Sequence, residues 1–162
     1  MIGNKFNEFQ SVTVKVIKTF LKFDVQNKPM TVVEKPVKLF DFSAIINIIG
    51  KFRGLIIVTI ENSTEEKLVK RFCEVNKITF EKAKEKNINV IGEIINMIVG
   101  NFFSVFNKED KNIDLTSPNF IKGKNMTYFS NPAKAKQLSF STPAGDINIV
   151  IELAGYKSIL ST

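Results

Sequence analysis

Hydrophobic and polar positions alternate along this chain with two different periods, and the strongest signal lies between Asn89 and Asn107. There Val90, Ile91, Ile94, Ile95, Met97, Ile98, Val99, Phe102, Phe103 and Val105 occupy most of the circumference of a helix. Ile91, Ile95, Ile98 and Phe102 form one line, and Val90, Ile94, Met97 and Val105 the next. A helix so apolar packs in a core rather than on a surface. It is too short, and too often interrupted by polar residues, to span a membrane. Glu93 and Asn96 are the exceptions within it. At ~100° and ~1.5 Å per residue they lie on one face, roughly 60° apart and about 4.5 Å along the axis. Asn89 and Gly100 extend the same line, so a narrow polar stripe runs down an otherwise buried helix.

The remaining elements arrange themselves around that helix. Between Phe6 and Phe23 the spacing of Phe6, Phe9 or Gln10, Thr13, Val16 or Ile17, and Phe20 favours a helix, although Val12, Val14 and Val16 also fit a strand. Asn27-Lys28-Pro29 breaks the chain, and Thr31 to Leu39, split by Pro36, reads as an edge strand. Phe42 to Ile49 and Leu55 to Ile60 are β-branched apolar runs separated by Gly50-Lys51-Phe52-Arg53-Gly54, which predicts a hairpin covered on at least one face. Ser63 or Thr64 is placed to cap a helix running to about Val75, and Thr79 to cap the next. Whether Phe80 to Asn107 is one helix or two broken near Asn87 stays open. The central helix should end near Asn107, followed by a polar connection over Lys108 to Asn112. Ile113 to Leu115 and Phe120-Ile121 flank Pro118, and 122–136 is a loop or a broken strand. Leu138 to Ser141 and Ile147 to Leu153 form a late pair joined by a turn at Pro143-Ala144-Gly145-Asp146, and the tail after Ala154 is short. The order helix, strands, two helices, strands predicts an α+β fold. It would be a single domain, residues 1–162, with a largely antiparallel sheet packed against long helices.

Composition narrows the chemistry. The 162 residues carry a net charge of +7, which suits an acidic partner. The lysines are scattered, arginine occurs only at Arg53 and Arg71, and no nucleic-acid motif is present, so nucleic acid is not the expected partner. There is no histidine, which excludes Ser-His-Asp and Cys-His catalysis and most zinc sites. The single cysteine, Cys73, falls among Leu68, Val69 and Phe72 and reads as a core residue. Met1 to Gln10 has no signal-peptide pattern and no run reaches membrane-spanning length. A cytoplasmic protein with no membrane association is the expectation.

The polar stripe is the remaining candidate for function. An arbitrary Glu-x-x-Asn is most simply a solvated helix edge. This one lacks lysine in a lysine-rich chain, and it carries Gly92 and Gly100, each costing about 0.5–1 kcal/mol relative to alanine in a helix interior. Close approach of a partner, or tight internal packing, would each account for the glycines. The residues do not make a glycosidase carboxylate pair, a phosphate-binding loop or an acidic metal cage. An amide and a carboxylate on one helix face are instead suited to entering the active site of another protein.

Gly92-Glu93-x-x-Asn96-Met97-x-x-Gly100, with Asp114-Leu115-Thr116-Ser117-Pro118 beyond it and the element order around it, resembles the CheX branch of the CheC/CheX/FliY family of chemotaxis phosphatases. The resemblance covers most of the chain, and the single Glu-x-x-Asn helix favours CheX over CheC-like members, which typically carry two. It departs at Asn89, where the family commonly has Ser or Asp. The resemblance implies dephosphorylation of the aspartyl phosphate of the response regulator CheY, with catalytic Asn96 orienting the water and catalytic Glu93 pairing with the regulator's lysine. Asn89, Gly92 and Gly100 would then be partner-binding. It implies no cofactor or metal of the chain's own, the divalent metal (Mg) residing on phosphorylated CheY. It also implies a homodimer made by joining sheet edges, for which the late strands are available. A non-catalytic module that binds a receiver domain or a flagellar switch component is the alternative.

Overall fold

The computed structural model describes residues 2–86, 89–108, 112–129 and 134–154. Asn87, near which the sequence leaves a break between two helices open, most of the polar connection at 108–112, part of the segment 122–136 and the tail after Ala154 lie outside those residues.

The first element is helix α1 (Ile2–Leu21). Phe6, Phe9, Thr13, Ile17 and Leu21 are buried along one face, so the period of three and four prevails over the β-branched content of Val12, Val14 and Val16. Arg71 holds its C-terminal end by donating from its guanidinium to the carbonyls of Leu21 (2.8 Å) and Lys22 (2.9 Å). Two short strands, β1 (Gln26–Asn27) and β2 (Thr31–Glu34), and the separate β3 (Val37–Lys38) follow, with the expected edge strand broken at Pro36.

The hairpin forms as β4 (Phe42–Gly50) and β5 (Arg53–Ile60). Helix α2 (Asn62–Asn76) comes next. Its N-cap is Glu61, which makes no side-chain cap bond, so neither Ser63 nor Thr64 caps it. Thr64 is instead buried inside the helix beneath Gly145, whose φ is +130° and where a Cβ would lie 2.2 Å from Thr64 Oγ1. The hydroxyl expected to start the helix is thus part of its packing against a turn. Thr79 does cap α3 (Phe80–Glu85), accepting from the Lys82 amide at 3.2 Å. The apolar helix α4 (Val90–Phe106) is separate from α3 and ends at Asn107.

Short strands β6 (Ile113–Leu115), β7 (Asn119–Lys122) and β8 (Thr127–Tyr128) lead to the long pair β9 (Lys134–Thr142) and β10 (Gly145–Ala154). The main sheet is antiparallel throughout, in the order β1-β9-β10-β5-β4-β6, with β2 also on β9 and β7 also on β4. Register places Phe42, Ala44, Ile46 and Ile48 beside Ile60, Val58, Ile56 and Gly54, and these beside Ile147, Ile149, Ile151 and Leu153. That face carries α1, α2 and α4. The opposite face is partly covered by a ribbon of β3 and β8, which buries Ile57, Ala135 and Val150 with Val37. The buried Lys35–Glu152 ion pair lies within this layer. Cover on both faces is why the central strands read as continuous apolar runs.

The late strands cannot supply a free edge. β10 lies between β9 and β5, and β9 is already occupied by β1 and β2. The described edges are β1–β2 on one side and β6–β7 on the other.

Candidate functional site

Helix α4 is anchored from three directions. Ile91, Ile94, Ile95 and Ile98 meet Phe42, Val58, Ile60 and Ile147 of the sheet and Leu68 of α2 around a void of about 10 Å³. A gap so small leaves no room beyond about one water. Toward α1, Phe102 and Phe106 stack at 4.2 Å between ring centroids, and Phe9 and Phe6 meet them edge-on at 5.4 and 5.2 Å. Such packing fixes the rotation of α4 about its axis. The side chains left facing outward are therefore held at set positions.

Those outward residues are the ones the pattern singled out. Asn89, Glu93, Asn96 and Gly100 are exposed, and Ser104, one turn further, continues the line. Among the described residues no hydrogen bond or ion pair engages the side chain of Glu93 or Asn96. An exposed carboxylate and an exposed amide one turn apart thus stand unpartnered on a rigid support. The amide can both donate and accept, and the carboxylate can receive a cation. Glu93 also sits in the first turn of α4, where a negative charge complements the helix dipole.

The two glycines separate into different roles. Asn89 is the N-cap of α4, its Oδ1 accepting from the Gly92 amide at 2.8 Å. A Cβ on Gly92 would lie 2.9 Å from Asn89 Cγ, so Gly92 is small because the cap folds over it. Gly92 is buried and Asn89 has a structural task of its own. Gly100 has nothing within 4 Å of where a Cβ would be. Internal packing does not account for it.

Cys73 is buried, as its spacing predicted. No group of three His, Cys, Asp or Glu side chains converges on a metal position among the described residues. No helix among them is long and apolar enough to cross a membrane. The pattern reading missed one feature beside the stripe, a groove between α2 and α3 with an apolar floor and a charged rim. Phe80, on its border, is 61% exposed.

A model of the family described as "Chemotaxis phosphatase CheX" matches residues 42–142, which include the whole stripe. No curated protein matches. Among solved structures, the chain resembles the chemotaxis protein CheX from Desulfovibrio desulfuricans, with a TM-score of 0.74 at 21% identity, covering 93% of this chain and 99% of that one. It resembles CheX from Vibrio vulnificus with a TM-score of 0.72 at 19% identity, covering 93% and 99%. It is also similar to a chain of the CheX–CheY–BeF3–Mg complex from Borrelia burgdorferi, with a TM-score of 0.65 at 25% identity, covering 91% and 96%.

Proposed function

Because the chain belongs to the chemotaxis phosphatase CheX family, we propose that it hydrolyses the aspartyl phosphate of phosphorylated CheY by presenting Asn96 and Glu93 to it. The observation that carries the reading is the pair itself: two unpartnered polar side chains, one turn apart, on a helix whose rotation is fixed by its buried faces. The Borrelia burgdorferi relative is found with CheY, BeF3 and Mg. Beryllofluoride is a chemical stand-in for a phosphoryl group, which supports phosphorylated CheY as the partner here.

In this mechanism the bond from water oxygen to phosphorus forms as the bond to the aspartyl oxygen breaks. Little covalent help is needed, so alignment and electrostatics set the rate. The Asn96 amide holds the water in line with the departing oxygen, and it carries no charge to titrate. The Glu93 carboxylate pairs with a lysine of the regulator and fixes register. Gly100 admits the partner's surface against the helix backbone. The divalent metal, Mg, belongs to CheY, and the chain brings no cofactor. The protein then acts in the cytoplasm, as a homodimer joined at a sheet edge.

The test is phosphate release from phosphorylated CheY with catalytic amounts of this protein. Asn96→Ala should lose about 100-fold or more in turnover, the scale on which removal of one positioned group acts, with an unchanged melting temperature. Glu93→Ala should weaken docking or catalysis. Full activity in Asn96→Ala would sink the mechanism. Binding without turnover by the unmutated protein would leave a docking module.

A further inference from the structure

We infer that the groove between α2 and α3 is a second part of the receiver-docking surface, with Phe80 as the side chain the receiver domain covers; this rests on the phosphatase reading above. The groove holds about 710 Å³, and Val69, Cys73, Ile78 and Phe80 supply its apolar lining. It runs into a further hollow of about 290 Å³ that Val69, Phe80, Ala83, Asn89, Val90 and Ile91 line. Asn89 begins the polar stripe. The groove and the stripe are therefore one continuous surface that turns the corner at the start of α4.

Area and chemistry name the occupant. One helix edge is small beside the roughly 800 Å² that a specific interface buries on each partner. A partner seated on Glu93 and Asn96 must therefore extend over a neighbouring element. On the α1 side that element offers charged groups, with Lys5 reaching the Phe106 carbonyl at 3.4 Å and Glu8 paired to Lys108. On the α2–α3 side it offers an open groove with an apolar floor and a charged rim that includes Glu65, Glu66, Lys70, Glu74 and Lys122. Val69 and Ile78 pack against the core, but Phe80 is outside it and 61% exposed. Among the described residues it is the one large apolar side chain on a helix that is left so open. A ring that the fold does not use, beside a lined groove, has the character of an interface anchor. It lies away from Glu93 and Asn96 in sequence and carries no group for the chemical step, so it contributes to holding the regulator and not to hydrolysis.

The experiment measures KM and kcat for phosphorylated CheY of the same organism, and Kd for that CheY loaded with beryllofluoride and Mg. The unmutated protein, Phe80→Asp, Phe80→Leu and Asn96→Ala are compared. Phe80→Asp should raise KM and Kd about tenfold or more with kcat within about twofold, as loss of an anchor does. Phe80→Leu should restore most of the loss. Asn96→Ala should show the opposite division, losing kcat and keeping Kd. Melting temperatures should match throughout, since these side chains are exposed. Unchanged KM and Kd in Phe80→Asp, with the unmutated protein active, would overturn the groove's role and leave the phosphatase reading standing. Failure of the unmutated protein to bind or turn over CheY would overturn both. A change of oligomeric state in Phe80→Asp with KM unaltered would give the groove to a second copy of the chain and overturn the inference.

Discussion

Gly100 and Gly92 are eight residues apart on one helix, and a missing side chain means something different at each. At Gly92 a Cβ would push into the Asn89 cap, 2.9 Å from its Cγ. At Gly100 the space is open to 4 Å, so the protein forgoes about 0.5–1 kcal/mol of helix stability with no internal return. Gly100→Ala should accordingly raise stability by about that amount in a denaturant or thermal melt. Gly100→Leu, which projects a branched side chain from the stripe, should cut kcat/KM for phosphorylated CheY by about tenfold, the scale of a disturbed contact. Wild-type turnover in Gly100→Leu would show that no surface comes close there. The sequence pattern placed both glycines on the stripe but could not separate them, because the room for a Cβ depends on neighbours that only the fold assembles.

At the scale of elements, the readable parts were those whose signal is local. The β4–β5 hairpin, α4 and the β9–β10 pair each combine an apolar run with turn residues and each formed, although β9 begins at Lys134, four residues before the expected Leu138, where pairing with β2 extends it. The α2 cap was misread because Thr64 is claimed by a contact more than 80 residues away, with Gly145. The two-residue strands β1, β3 and β8 have no pattern of their own and exist through pairing. Asn89 shows the limit from the other side. The family resemblance implied partner binding for it, and its side chain also caps α4, a task the pattern did not show. Asn89→Ala should lower stability by about 1 kcal/mol, the usual worth of such a cap, and Asn89→Asp or Asn89→Ser should restore it. Steady-state kinetics of Asn89→Ser separate the roles: values equal to wild type assign Asn89 to the cap alone, and a raised KM at intact stability gives it a contact with the regulator as well.

Across the whole molecule, the legible quantity was the fold class, and the illegible one was strand order. Late strands look like edges when read along the chain, yet β10 is central and β9 is covered by β1 and β2, since pairing follows tertiary layers and not sequence position. The more apolar edge is β7, paired on one side to β4 and carrying two adjacent exposed apolar side chains, Phe120 and Ile121, at 42% and 44% exposure. An open strand edge with apolar side chains invites another strand. The opposite edge carries one exposed apolar side chain, Val32 at 45%, among the polar Gln26, Asn27, Thr31 and Glu34. A homodimer joined by sheet edges should therefore use β7. Ile121 projects to the face away from the helices, since its neighbours Phe120 and Lys122 share the register of Ala44 and Phe42. Ile121→Lys places a charge on that edge without touching α4. Light scattering after size exclusion should show the unmutated protein at twice the mass of the chain and Ile121→Lys at the mass of one. Turnover per chain should be preserved, because the stripe lies on the helical layer and each copy carries its own. A monomeric wild type, or a dimer that survives Ile121→Lys, would remove β7 as the joining edge.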